Sequence, residues 1–134
     1  MGLEIYLIFN GNCKEAVEFY AKVFSTEVKE IMTFGMMKDQ NVKEEYKEKI
    51  LHTYLQIDNS TLMLSDCNPG DHVTFGNNVQ LTYSSKDYEK VQKVYEGLKE
   101  GGKVGMELQA TFFAKVFAMV TDKFGVGWKI YQTK

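Results

Sequence analysis

The chain contains no arginine, and all sixteen of its basic residues are lysine. It therefore lacks the planar guanidinium fork that clamps phosphates, carboxylates and guanine edges. The formal net charge is -2 and the lysines are scattered, so there is no basic stripe either. Both facts argue against nucleic acid as a partner. Histidine and cysteine number only two each, which leaves little for a zinc site or a disulfide framework. Cys13 and Cys67 stand far apart and in no CxxC arrangement, and read as free thiols in a reducing compartment. Cys13 falls where a helix begins, so a reactive thiol of lowered pKa is the alternative reading. No apolar run reaches the roughly 20 residues that span a bilayer. The opening MGLEIYLIFNG has neither a basic n-region nor a small-residue cleavage site, and lacks the hydroxyl residue that myristoylation requires at position 6. The expectation is a cytoplasmic protein that does not engage membranes. There is no GxSxG, no P-loop and no GxGxxG following a strand. Gly97, Gly101, Gly102 and Gly105 scatter around a predicted helix end and form no phosphate cradle.

What is present reads as one ordinary globular domain over 1–134, with 44% hydrophobic and 25% charged residues. A chain of this size buries roughly two thirds of its unfolded surface. Its most informative feature is an internal echo. Residues 5–24, IYLIFNGNCKEAVEFYAKVF, are matched in pattern by residues 79–98, VQLTYSSKDYEKVQKVYEGL. The echo pairs Ile5 with Val79, Leu7 with Leu81, Phe9 with Tyr83, Val17 with Val91 and Phe24 with Leu98. Each copy predicts a strand, a polar turn and an amphipathic helix.

In the first half the alternation predicts a strand over 3–9, with Leu3, Ile5, Leu7 and Phe9 on one face. A helix follows over about 13–24, with Asn12 as N-cap and Glu15 completing a capping box. A second strand is expected over 27–33, and the clearest strand lies over 50–57, with 61–65 returning as its hairpin partner. Between them, residues 35–48 read as a polar surface loop containing one helical turn. Met36 and Met37 there would suit the mouth of a cavity, or the loop is simply a solvated connection. The segment 68–77, with the only proline, Pro69, is the expected linker between modules 1–67 and 78–134. The second half predicts a strand over 79–83, a helix from Lys86 or Asp87 to Leu98 stopped at Gly101-Gly102, and strands around 103–109, 114–121 and 127–133. Both halves thus read βαβββ, and the seam of such a duplication is a natural place for a ligand cavity.

The NGNCKEAVEFYAKVF start, the TLMLSD strand, the QATFFAKVFAMVTDKFGVGW block and the paired layout resemble the vicinal-oxygen-chelate superfamily. That superfamily comprises glyoxalase I, extradiol dioxygenases and bleomycin- and fosfomycin-resistance proteins; the chain is most similar to its PhnB-like branch. The resemblance implies an α+β fold in which two βαβββ modules form curved mixed sheets around a cavity, with helices outside. It also implies homodimers in which a cavity is shared between chains. On that fold Leu7, Phe9, Leu81 and Tyr83 would face the helices, while Tyr6, Ile8, Gln80 and Thr82 would face inward.

Metal-dependent members carry a facial set of His, Glu or Gln ligands, and their positions here fall on Glu4 or Ile5, on Met63 or Ser65, on Asn78 and on Tyr131. These do not make a zinc, nickel or iron site, so no metal or other cofactor is expected. Of the two histidines, His72 lies in the linker. His52 shares a strand face with Tyr54 and Gln56 and is the one candidate general base or ligand anchor; a histidine hydrogen-bonded within the sheet is the plainer alternative. The methyltransferase label attached to this branch would call for a glycine-rich nucleotide loop and a doubly wound sheet, and the sequence shows neither. The expected site is an aromatic lining of Tyr6, Tyr54, Phe112, Trp128 and Tyr131, with His52, Gln56, Asn78 and Gln80 orienting a flat or apolar small molecule. Three functions remain open: a metal-free binding protein of the resistance type, a metal-dependent lyase, isomerase or dioxygenase, and a structural or regulatory dimer with a vestigial cavity.

Overall fold

The computed structural model describes residues 2–38 and 41–134. The element order is β1 (Ile5–Phe9), α1 (Cys13–Val23), β2 (Lys29–Thr33), β3 (Ile50–Ile57), β4 (Ser60–Asp66), β5 (Leu81–Ser85), α2 (Tyr88–Lys99), β6 (Lys103–Gln109), β7 (Val116–Thr121) and β8 (Gly127–Gln132). These divide into two units, 1–74 and 75–134. Each unit is a βαβββ module with a four-stranded mixed sheet. The strand order is β1-β4-β3-β2 in the first and β5-β8-β7-β6 in the second. The echo in sequence is thus an echo in topology, and the fold is α+β as the pattern predicts.

In both units the first strand pairs parallel with the last, and the remaining pairings are antiparallel. A parallel pairing needs a crossover, and the helix between first and second strands supplies it. α1 buries Ala16, Val17, Tyr20 and Val23 against β3 and β4. α2 buries Val91, Val94, Tyr95 and Leu98 against all four strands of its sheet. These spacings of three and four place the side chains on one helix face. Each fully buried Val or Leu contributes roughly 1.5–3 kcal/mol relative to exposure. The helix-side sheet faces answer with Phe9, Thr53, Leu55, Leu62 and Leu64 in one unit and Leu81, Tyr83, Ala118, Val120, Trp128 and Ile130 in the other. No helix among the described residues is long and apolar enough to cross a membrane.

Several boundaries shift from expectation. β1 starts at Ile5, and Leu3 projects into solvent instead of extending the apolar row. β5 begins at Leu81, two residues later than the pattern suggests, and just before it the Gln80 side chain donates from Nε2 to the Asn77 carbonyl at 3.2 Å. The start of α1 is not closed by a capping box, since Asn12 makes no side-chain cap bond. Asp66 of β4 does that work from a distance in sequence: its Oδ1 accepts the Gly11 and Cys13 N–H groups and its Oδ2 the Ile50 N–H, each at 2.9 Å. α2 is capped locally, with Asp87 accepting the Glu89 N–H at 2.9 Å.

Among the described residues, the 35–48 segment and its start hold two short 310 turns, Phe34–Met36 and Glu44–Tyr46, rather than one helical turn. Asp39 and Gln40 of that loop lie outside the described residues.

Candidate functional site

In a strand pair, residues directly opposite share a face, so register identifies which side chains stand together. On the face of the first sheet away from α1, Tyr6 of β1 lies opposite Met63 of β4, Met63 opposite Tyr54 of β3, and Tyr54 opposite Lys29 of β2. Beside this row, Ile8 pairs with Ser65, His52 with Met32, and Gln56 with Thr61. The face is therefore apolar and aromatic, with a few polar groups set into it. It is also incompletely covered: Tyr6, Ile8 and Met32 each keep more than two fifths of their surface exposed.

His52 and Tyr6 meet across β4. The tyrosine hydroxyl lies 3.4 Å from His52 Nδ1, and the rings sit 5.9 Å apart at a tilt of 41°. Gln56 has its carbonyl oxygen occupied by the Thr61 hydroxyl at 3.2 Å, and its Nε2 donates to the Asp58 carbonyl at 3.3 Å. Tyr6, His52, Tyr54 and Gln56 are thus brought onto one sheet face. Lys29 and Met32 join them although the sequence pattern did not single them out. The missing signal is register, because β2 pairs with β3 through two irregularities that no periodicity reveals.

In the second unit the corresponding face carries Thr82 and Ser84 of β5, Lys129 and Tyr131 of β8, and Phe117 and Met119 of β7. Tyr131 stands here beside Phe117. Trp128 does not. It is 4% exposed, shares a row with Leu81 on the side that α2 covers, and donates from Nε1 to Asp122 Oδ2 at 2.9 Å. The same carboxylate accepts the Phe124 and Val126 N–H groups at 2.9 and 3.1 Å, so the tryptophan serves the last hairpin of the core. Phe112 is also off the sheet face, in the loop before β7. It is 95% exposed and packs edge-on against Phe113, which in turn packs against Phe117. Asn78 is exposed in the segment before β5.

A cavity of about 560 Å³ lies elsewhere in the first unit, walled by Phe34, Met37, Val42, Tyr46 and Pro69. Residues of the 35–48 segment line it, and it does not lie over the His52 face. Tyr46 forms its floor, stacked edge-on against Phe34 with ring centres 5.0 Å apart and donating its hydroxyl to the Cys67 carbonyl. Burial, with the nearby Cys67, Asp66 and Asp71, pushes the Tyr46 phenol up to about 12. Cys13 is also corrected. Burial, reinforced by the Asp66 charge, raises its thiol pKa instead of lowering it, so the helix start does not create a reactive thiolate.

The comparison with known proteins follows this geometry. A family profile described as 3-demethylubiquinone-9 3-methyltransferase matches residues 2–131. The chain belongs to that family, and it shares the fold of the glyoxalase, bleomycin-resistance and dioxygenase superfamily. Protein YjdN of Escherichia coli (strain K12) is 32% identical over 143 aligned positions, covering 100% of this chain and 97% of the relative. The crystal structure of protein PA1353 from Pseudomonas aeruginosa superposes with a TM-score of 0.83 at 31% identity, covering 98% of each chain. A putative 3-demethylubiquinone-9 3-methyltransferase, the PhnB protein from Bacillus cereus, gives 0.81 at 23% identity, covering 99% of this chain and 100% of that one.

Metal-dependent members of the superfamily set the fit test for this PhnB-like chain. The positions that the family resemblance assigns to their ligands hold Glu4 or Ile5, Met63 or Ser65, Asn78 and Tyr131: at most one carboxylate, one amide, and otherwise apolar, thioether or hydroxyl groups. Among the described residues no three His, Cys, Asp or Glu side chains gather closely enough to hold a metal. A donor set without imidazole, thiolate or several carboxylates does not fit zinc, nickel or iron.

Proposed function

We propose that this PhnB-like protein is a small-molecule-binding member of its superfamily that works without a metal. Its ligand would be a flat or apolar molecule held on the uncovered sheet faces. The observation that carries this reading is the Tyr6–His52 pair. An aromatic hydroxyl and an imidazole converge at 3.4 Å on a half-exposed face otherwise formed by Ile8, Met32, Tyr54 and Met63. Apolar surface carrying a few converging polar groups is the usual make-up of a ligand site. Tyr131 and Phe117 would play the aromatic part on the second sheet. The tightly held Gln56 amide would contribute little beyond shape, and Trp128 is left out of the lining because α2 covers it.

A methyltransferase reading finds no support: the sequence has no glycine-rich nucleotide loop, and the described residues form two four-stranded sheets with no doubly wound one. The reading of a metal-free, homodimeric binding protein is tested by three measurements on the purified chain. Elemental analysis should find no near-stoichiometric nickel, zinc, manganese or iron, and stoichiometric metal would overturn the metal-free reading. A thermal-shift screen of aromatic and apolar compounds should find stabilising ligands, because occupancy at a hundredfold over Kd adds about 2.7 kcal/mol. A broad screen without any shift would overturn the binding reading. Light scattering should give twice the chain mass, and a monomer at working concentration would remove the dimer.

A further inference from the structure

The Tyr6–His52 pair also limits the chemistry of what it can hold, an inference that rests on the binding function proposed above. Consider the protons available to the pair. If the tyrosine O–H donates to His52 Nδ1, the neutral ring must carry its proton on Nε2, and Nε2–H points away as a free donor. If Nδ1–H donates to the tyrosine oxygen, the tyrosine O–H is the free donor. If the imidazole is protonated, both are free donors and the pair is positive. In every state at least one O–H or N–H is turned away from the pair.

The surroundings favour the same polarity. The face-directed positions of β1, β3 and β4 are Tyr6, Ile8, His52, Tyr54, Gln56, Thr61, Met63 and Ser65, and none is a carboxylate. Tyr54 adds a phenol, and Lys29 stands opposite it on β2. The acidic groups nearby are at the margins. Glu4 precedes β1, Glu30 lies in the irregular part of β2, and Glu27 sits 3.9 Å from the Lys29 ammonium. A ligand's negative oxygen would meet donors here and no carboxylate at the face-directed positions of β1, β3 and β4; the carboxylates within the first sheet's strands are Glu30 of β2 and Asp66, whose two oxygens are taken up by backbone N–H groups.

We infer that the His52 face selects apolar ring compounds bearing one acidic oxygen group, such as a carboxylate, sulfonate or phenolate, over their neutral counterparts. The acidic oxygen accepts from the free donor of the Tyr6–His52 pair, and the ring lies over Met63, Ile8 and Met32. A charge-assisted bond of this kind is enough for about tenfold selectivity, equivalent to 1.4 kcal/mol.

The test uses a matched pair of fluorescent probes, anilinonaphthalene sulfonate and its neutral parent phenylnaphthylamine, with methyl-labelled methionine to report location. Binding of either probe at this face should shift the Met32 and Met63 methyl signals. The sulfonate should bind about tenfold more tightly than the neutral parent. In His52→Leu the ratio of the two affinities should fall to about one, the sulfonate losing more than the neutral probe, and Tyr6→Phe should reduce the ratio partly. Far-UV circular dichroism and an unchanged melting temperature would show that the variants are folded. If neither probe moves Met32 or Met63, the binding reading itself falls. If both probes bind there equally well, or if His52→Leu weakens both alike, the binding reading stands and the acidic-group inference is overturned.

Discussion

Replacing Asp66 by asparagine should remove at least about 3 kcal/mol of stability while keeping the side chain's shape. The carboxylate is buried and accepts three backbone N–H groups at 2.9 Å: those of Gly11 and Cys13 where α1 begins, and that of Ile50 where β3 begins. Hydrogen bonds to a charged acceptor contribute roughly 1.5–3 kcal/mol and neutral ones roughly 0.5–1.5. In Asp66→Asn the amide oxygen can keep Gly11 and Cys13, each weakened by about 1 kcal/mol. The amide NH2 then faces the Ile50 N–H, donor against donor, and a buried donor left without an acceptor costs about 1–3 kcal/mol. The expected sum is a large fraction of the 5–15 kcal/mol typical of a domain. Urea unfolding should show an unchanged slope and a midpoint lowered by about 1.5–2 M, for a slope near 1.5–2 kcal/mol/M. Hydrogen exchange should accelerate at Ile50 and Cys13 ahead of the rest of the first sheet. A change below about 0.5 kcal/mol, or a loss of stability with Ile50 still fully protected, would refute the claim that one carboxylate ties helix to sheet.

Gly102→Ala should cost at least about 2 kcal/mol in thermal unfolding, since a Cβ there would overlap the Thr121 carbonyl oxygen and lie 3.0 Å from the Asp122 Cα, both backbone atoms. An unchanged melting temperature would contradict the close approach of the α2 exit to the β7 end. Trp128→Phe removes the bond from Nε1 to Asp122 and should cost about 1.5–3 kcal/mol in urea titrations while leaving probe affinity at the His52 face intact; a loss of affinity without loss of stability would restore Trp128 as a ligand contact. Stability should fall in alkali. The folded chain keeps the Cys13 proton that the unfolded chain releases near about pH 8.5, so the native state binds more protons above that point and stability declines as pH rises. Tyr46, pushed up to about 12, adds to the decline above its ordinary value near 10. Cys13→Ala should flatten the first part of this decline, and an identical pH profile would remove the buried thiol as its cause.

Much of the fold was legible because burial leaves a period in the residue order. The helix over 13–24 and the strand over 50–57 follow from Ala16, Val17, Tyr20 and Val23 recurring at three and four, and from Thr53 and Leu55 alternating with His52, Tyr54 and Gln56. The same alternation set Tyr6 with Ile8, and His52 with Tyr54 and Gln56, each group on one face of its own strand. It failed for Trp128, whose neighbours in sequence do not announce that its face is the one covered by α2. It was silent on Lys29 and Met32, which join the site through irregular pairing with β3.

The capping of α1 shows the division most clearly. Local rules assign the role to Asn12, because a short polar side chain before an apolar helix is the usual cap. The parallel pairing of β1 with β4 sets Asp66 directly opposite Phe9, within reach of the same N–H groups, and a carboxylate there holds three donors at once. Sequence by itself determined the two βαβββ modules, their helix and strand faces and the family, since each follows from the periodic order of apolar residues and from local motifs. Tertiary structure alone decided which side chains meet: Asp66 with the start of α1, Asp122 with Trp128, and Tyr6 with His52. Those meetings depend on strand order and register, which bring together residues tens of positions apart and leave no periodic trace in the chain.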